Sequence, residues 1–341
     1  MKHEFDRILI APAELGSASS EVGLARQCIA LLQQQQATWG LLRRGYDGLS
    51  NVESRIFTFD GFHVNVQFNP GRITSTTAKV DEKSIRERRC FLCARHLPDE
   101  QRAILYHDQY LLLCNPYPIF PEHFTIPHID HRPQEILQAF SAMLDLTRDL
   151  SPRYTVLYNG PRCGASAPDH LHFQAGTGGV MPFENELGMI TGDRREALVE
   201  SKNLRVTCFL DYFRSVIVAE CFSQKQLEDV FQRMYEAYQR ISGGNEEPMM
   251  NLVSMLRDGR WTLAMFARSK HRPSMFYADE DEKLLVSPAA VDLGGVLTLP
   301  REKDFRRFSR DLVARVFEEV SLEEEKFAAL QTDIKQTLRT V

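Results

Sequence analysis

In the run His170-Leu-His-Phe-Gln174, polar side chains alternate with apolar ones. Residues two apart on a β-strand share a face, so His170, His172 and Gln174 converge on one side while Leu171, Phe173 and Ala175 point to the other. Upstream, Asn159-Gly-Pro-Arg-Cys-Gly-Ala-Ser166 carries two glycines, Gly160 and Gly164, which permit tight turns and close backbone approach to a ligand. Backbone N–H groups in such turns form concavities for anions. A neutral imidazole beside phosphate-holding donors is a competent nucleophile. It can displace a leaving phosphate, form a phosphoramidate and hand the group to a second acceptor. A His-x-His pair alone could equally be the solvated face of an edge strand, so its surroundings decide.

Three further groups could do chemistry. Cys90-Phe-Leu-Cys93 is the closely spaced pair among seven cysteines, an odd and scattered set that makes a poor disulfide framework. In a reducing compartment that spacing reads first as metal ligation and second as redox chemistry, and a tetrahedral ion needs two more ligands. In Asn69-Pro-Gly-Arg-Ile-Thr-Ser-Thr-Thr-Ala-Lys79, Arg72 could grip two oxygens of a polyphosphate and Lys79 could act as a point charge. Arg268-Ser-Lys-His-Arg272 follows a later strand and could lean over the same site, holding phosphate with Arg268, Lys270 or Arg272.

The elements that must position these groups follow from periodicity. A helix is predicted from about Ser20 to Arg44, then strands over 55–59 and 62–68 joined by an Asp60-Gly61 hairpin turn. Next come strands over 103–106 and 110–115, a helix from Pro133 to Leu150, and strands over 154–159 and 170–175. The same order recurs as strands over 204–210 and 215–220, a helix from Gln224 to Ile241, and strands over 249–256 and 261–268. A strand at Leu284–Val286, the loop Ser287–Gly295 and charged helices from Lys303 to Thr340 complete the chain, with an amphipathic packing helix over 321–339. The expected class is α+β, with two similar halves sharing a mainly antiparallel sheet flanked by helices. The expected divisions are an N-terminal helical accessory segment (1–50), a first half holding the nucleophile and metal site (51–200), and a second half without a nucleophile plus the C-terminal helices (201–341).

Bulk properties narrow the functions. The 341 residues are 43% hydrophobic and 26% charged, as in an ordinary folded protein. A net charge of −5 gives no general electrostatic reason to bind nucleic acid. No stretch approaches the roughly 20 apolar residues of a membrane span, and the start lacks a secretory apolar core, so a cytoplasmic protein is expected.

The stretch from Asn159 to Gln174 resembles the active-site strand of the histidine-triad superfamily, in the galactose-1-phosphate uridylyltransferase and diadenosine tetraphosphate phosphorylase branch, which uses His-x-His-x-Gln. His-Leu-His-Phe-Gln-Ala is also similar to the GDP-sugar phosphorylases. The segment from Asn69 to Lys79 resembles the substrate-phosphate segment of that branch, and likeness extends through Asn115–His131 and more weakly to Pro288–Pro300. The resemblance implies a HIT-like fold with His172 as the nucleophile. Gln174 and Ser166 would hold phosphate oxygens, Asn159 would orient or support the histidine, and Asn69, Arg72, Lys79, Gly164, Arg268 and Lys270 would contact substrate. It also supplies the missing metal ligands: some uridylyltransferases hold a structural zinc with counterparts of Cys90, Cys93, His131 and His170. His96, His123 and His128 are rivals for the fourth place. The implied enzyme moves a nucleoside monophosphate from a nucleotide sugar or dinucleoside polyphosphate to inorganic phosphate or a sugar phosphate, without nucleic-acid or membrane partners, and could be a homodimer. Hydrolysis of the same substrates, a catalytically silent nucleotide-binding protein and a zinc-braced interaction module are the alternatives.

Overall fold

The computed structural model describes Phe5, residues 7–15 and residues 23–338. Ser20 and Val22 of the expected first helix, and Arg339 and Thr340 of the last, lie outside the described residues. The first helical segment is two helices, α1 (Leu24–Thr38) and α2 (Gly40–Leu49). They part at Trp39, whose extended backbone (φ −116°, ψ 102°) turns its ring into the core.

The hairpin follows as β1 (Glu53–Thr58) and β2 (His63–Phe68), with Asp60-Gly61 at its tip and Gly61 at φ +74°. The first half then runs β3 (Ala103–Tyr106), β4 (Tyr110–Cys114), β5 (His123–Pro127), α3 (Phe140–Leu150), β6 (Tyr154–Asn159) and β7 (His172–Thr177). The second runs β8 (Arg195–Glu200), β9 (Leu204–Phe209), β10 (Val216–Cys221), α4 (Gln224–Ser242), β11 (Met250–Arg257) and β12 (Arg260–Ala267). After it come β13 (Val296–Leu299), a short helix over 302–307, α5 (Arg310–Val320) and α6 (Glu324–Leu338).

Strands β3 to β12 form one ten-stranded sheet in the order β3-β4-β5-β7-β6-β11-β12-β10-β9-β8, with every neighbouring pair antiparallel. Read from its two edges inward, this order has one pattern, so the halves are related by a pseudo-two-fold axis. Matching the starts of β6 (Tyr154) and β11 (Met250) puts Leu157 and Val253 in corresponding positions, and these two pair with each other, so the axis passes through the Leu157–Val253 pair. β8 pairs with β9 at the edge of the second half.

Alternation sorts side chains between two cores. Leu171, Phe173, Ala175, Val156, Tyr158, Leu252 and Leu263 face α1 to α4 and α6. Leu157, Val253, Ala264 and Phe266 face the opposite layer, which is built from β2, β13, the 302–307 helix and α5. In that layer β13 pairs in parallel with β2 and β1 pairs antiparallel with it, forming a small three-stranded sheet. His172 and Gln174, out of phase with Phe173, therefore point toward the small sheet.

Three expectations change. The helix assigned from Pro133 begins at Phe140, because the preceding backbone is committed elsewhere: Arg132 O accepts from Leu171 N at 2.7 Å, and Ile136 N donates to Glu247 Oε2 at 2.6 Å. Leu284–Val286 is no strand, since Leu284 N donates to Met275 O and Leu285 N to the Asp304 carboxylate. Finally, β5 and β8 were not foreseen. Pro127 disguises the first, and the helix-favouring composition Arg-Glu-Ala-Leu-Val-Glu disguises the second, which the sheet edge overrides.

Candidate functional site

His172 opens β7 and is almost fully buried. Its ring Nδ1 lies 2.8 Å from the carbonyl oxygen of His170. A carbonyl can only accept, so Nδ1 carries the proton and Nε2 carries the lone pair. Nε2 has no hydrogen-bond partner among the described residues. Burial pushes the His172 imidazolium down to about 4, partly offset by that backbone bond, so the ring is neutral at pH 7. The main chain at 172 is clamped by Gln134. Its Oε1 accepts from His172 N at 2.7 Å, and its Nε2 donates to His172 O at 3.0 Å and Asn159 O at 2.9 Å.

Gln174, two residues on, lines a polar cleft of about 530 Å³, counting the part open to solvent. The cleft also takes Asn159, Gly164 and Ser166 from the first half, Arg72, Ser75 and Thr76 from the segment after β2, and Ser287, Asp292 and Thr298 from the segment around β13. Its donors are oriented by neighbours. His123 Nδ1 accepts from Ile119 N at 3.3 Å, so its Nε2–H donates to Gln174 Oε1 at 2.9 Å and leaves the Gln174 amide N–H groups without a partner among the described residues. Burial, and then the Arg72 charge, push His123 down to about 3, which keeps that arrangement at neutral pH. Asn159 Oδ1 accepts from Asn251 Nδ2 and from Ala290 N, both at 2.8 Å, which again leaves the amide N–H groups unspent. Arg72 uses one N–H on Tyr117 O at 2.7 Å. Gly164 sits at φ +91°, where a Cβ would come within 2.7 Å of Ala289 Cβ; the tight approach of the two loops requires glycine there.

One carboxylate stands among these donors. Asp292 accepts from Ala289 N and Thr298 N, both at 2.9 Å, which fixes the segment that closes the cleft. Burial raises its carboxyl to about 6, opposed by those two backbone bonds and then by Arg72.

Beside the start of β7, Cys90, Cys93, His131 and His170 bring one ligand atom each to within 4.8 Å of one another. His170 Nδ1 lies 3.3 Å from Cys90 Sγ and 3.7 Å from Cys93 Sγ, and His131 Nδ1 lies 3.2 Å from Cys93 Sγ. A tetrahedral ion with metal–sulfur bonds of about 2.3 Å and metal–nitrogen bonds of about 2.0 Å sets sulfur and nitrogen about 3.5 Å apart, so the four fit. His170 Nε2–H donates to His128 O at 2.8 Å, which aims Nδ1 at the thiols. Asp169 lies 3.6 Å from His131 Nε2 and pairs with Arg88. The rivals are engaged elsewhere: His96 on Cys90 O, His123 on Gln174 and His128 on the backbone of Asp130.

Other expected contacts differ. Asn69 does not reach the cleft, because it caps the turn at Gly71 N and donates to Pro118 O. Lys79 is exposed and outside the cleft lining, and Lys270 pairs with Glu319 at 3.1 Å on the surface. Arg268 is 2% exposed and spends all five N–H donors internally, on Val320 O, Asn251 Oδ1, Pro288 O, Lys270 O and His271 O. It braces Asn251, and through it Asn159. Arg272 binds Ser287 Oγ and the carbonyls of Thr76 and Ala78, joining two walls of the cleft. Support of the histidine comes from Gln134 and His170, not from the Asn159 side chain. Gln134, Asn251 and Asp292 were missed. The interruption of an apolar strand in Met250-Asn-Leu-Val253 was the signal for Asn251, whereas Gln134 was hidden by the helical reading of its segment.

Residues 31–177 match the family model described as a domain of unknown function (DUF4922), and residues 192–341 match the model of the GDPGP1-like C-terminal domain. No curated protein sequence matches the chain. Among solved structures, yeast Ap4A phosphorylase Apa2 in complex with AMP superposes with a TM-score of 0.53 at 17% identity, over 86% of this chain and 96% of that one. The same yeast protein in complex with Ap4A gives 0.53 at 17% identity, over 86% and 97%. The chain thus has the histidine-triad-like fold. The likeness to the yeast enzyme is one of fold, and the second half of the chain is the part that matches the GDPGP1-like model.

Replacing Arg268 by Ala strands five acceptors, three of them in buried bonds that each cost on the order of 1 kcal/mol or more to lose. Urea unfolding of Arg268→Ala is therefore expected to show a loss of about 3 kcal/mol or more. Unchanged stability with weakened substrate binding would return Arg268 to the role of a substrate contact.

Proposed function

We propose that this chain is a nucleotidyltransferase of the phosphorylase type. In the proposed reaction, His172 Nε2 attacks the α-phosphorus of a nucleotide sugar or dinucleoside polyphosphate. The P–O bond to the leaving sugar phosphate or nucleotide breaks, and the nucleoside monophosphate is carried as a phosphoramidate on Nε2. An oxygen of inorganic phosphate then attacks the same phosphorus and releases a nucleoside diphosphate; a sugar phosphate in that role gives a new nucleotide sugar. The observation that carries the reading is the His172 ring, neutral, with Nδ1–H tied to the His170 carbonyl and the Nε2 lone pair unspent. It is supported by the unspent donors of Gln174, Asn159 and Arg72 around the adjoining cleft, where charge on the transferred group is stabilised. The likeness to Ap4A phosphorylases favours dinucleoside polyphosphates as the first substrates to try.

For the Cys90, Cys93, His131 and His170 cluster we propose zinc. Four protein ligands would fill a tetrahedral shell, so the ion would brace the entry to β7 and take no part in the displacement. Cys93 agrees with that assignment: burial and the neighbouring Cys90 raise its thiol, a condition that a divalent cation reverses by binding the thiolates.

His172→Ala should lower transfer by about a thousand-fold or more while the circular dichroism spectrum is unchanged. A variant that keeps a substantial rate would end the proposal. With phosphate present the wild-type product should be a nucleoside diphosphate, and accumulation of the monophosphate would make the enzyme a hydrolase instead. Elemental analysis should find about one zinc per chain, reduced in Cys90→Ser together with a lower melting temperature. Metal-free protein of undiminished stability would dismiss the zinc brace alone.

A further inference from the structure

The second half carries a charged cavity that the reaction above does not use. It occupies about 580 Å³, counting the part open to solvent, and its charged lining is Arg195, Arg205, Arg260 and Glu220, with Thr191 and Gly192 among its other lining residues. Its place follows from the pseudo-two-fold. The pairs His123–Gly176 and Pro127–His172 of β5 and β7 correspond to Val216–Phe266 and Glu220–Thr262 of β10 and β12. Thr262 therefore stands where His172 stands, and Arg260, two residues earlier, stands where the first half has His170. The second half has a cationic arginine cluster where the first half has its Cys2His2 cluster.

That cluster carries excess positive charge with donors to spare. Arg195, with a side chain 7% exposed, is committed to Thr207 Oγ1, Leu187 O and Glu220 Oε2. Glu220 lies directly across the β9–β10 ladder from Arg205, and its second oxygen is 3.5 Å from Arg260 Nη1. The side chains of Arg205 and Arg260, both about half exposed, make no hydrogen bond among the described residues and are held by ion pairs alone. Glu200, which is not part of the cavity lining, lies 3.6 Å from Arg205 Nε. Three guanidinium groups thus face one carboxylate inside the cavity, and the two unspent ones come from adjacent parts of one sheet face. Such a pair of planar forks matches the oxygens of a phosphate group.

We propose that this cavity binds a phosphate group, through Arg205 and Arg260, at a site separate from the cleft lined by Arg72 and Gln174. Isothermal titration of the whole protein with inorganic phosphate tests it. The Arg205→Gln/Arg260→Gln variant is expected to lose about tenfold or more in phosphate affinity at this site, the scale of one charge-assisted hydrogen bond. Binding in the first cleft survives in that variant and is removed separately by Arg72→Gln. Glu220→Gln, which deletes the competing carboxylate, should instead tighten phosphate binding several-fold. Titration with AMP distinguishes the source: competition for this site marks a nucleotide's phosphate, and its absence marks free phosphate. Isotherms identical to wild type in the double variant and in Glu220→Gln overturn the proposal, whatever the fate of the His172 reaction.

Discussion

The hydrogen bond from Nδ1–H of His172 to the carbonyl of His170 spans two residues, yet the proposed chemistry depends on it. It fixes the proton on one ring nitrogen and leaves the other unprotonated. The carbonyl stays in place because its own residue is held twice, by Nε2–H on His128 O and by Nδ1 among the thiols of Cys90 and Cys93. The cysteine–histidine cluster and the candidate nucleophile thus share one residue of backbone, which is how an ion with no open coordination position could still matter to reactivity.

Around that bond, polar side chains are oriented in chains rather than singly. His123 holds Gln174, Asn251 holds Asn159, Arg268 holds Asn251, and Gln134 ties the backbone of Asn159 to that of His172. In the chains that end on Gln174 and Asn159 the acceptor end is used up inside the protein and the donor end is left for the cleft, an arrangement suited to anionic groups. Buried networks of this kind hold one geometry because every broken link leaves a buried polar group unsatisfied.

The two halves share a topology but not a cleft, and the difference lies in one connection. Between β6 and β7 the chain makes a long excursion, residues 160–171, which supplies Gly164, Ser166 and the His170 ligand. Between β11 and β12 the corresponding connection is the tight turn Asp258-Gly259, which leaves no room for a ligand loop. The second half contributes differently. The segment from Ser287 to β13 crosses back to pair with β2, laying Ala289 against Gly164 and Asp292 near Arg72. The cleft is composite, so neither half would hold it alone.

The alternation in His170–Ala175, the Cys90–Cys93 spacing, the repeated order of elements and the resemblance they carry were legible in sequence, since each is a local pattern with a period or a spacing. His131 and His170 were also rightly set apart as the partners of the cysteines in the cluster. Gln134, Asn251, Asp292 and the true position of Arg268 were not legible. Their roles come from partners far along the chain, such as Asn251 with Asn159 and Asp292 with Arg72, and such distances carry no spacing signal. Nor could charge alone separate Arg72, which keeps donors for the cleft, from Arg268, which spends all of its own on the interior. The sequence determined which chemical groups were on hand and which strand face carried them. Tertiary structure alone decided which groups remain unsatisfied, because a hydrogen-bond donor is free for a ligand only once every internal acceptor within reach has been assigned.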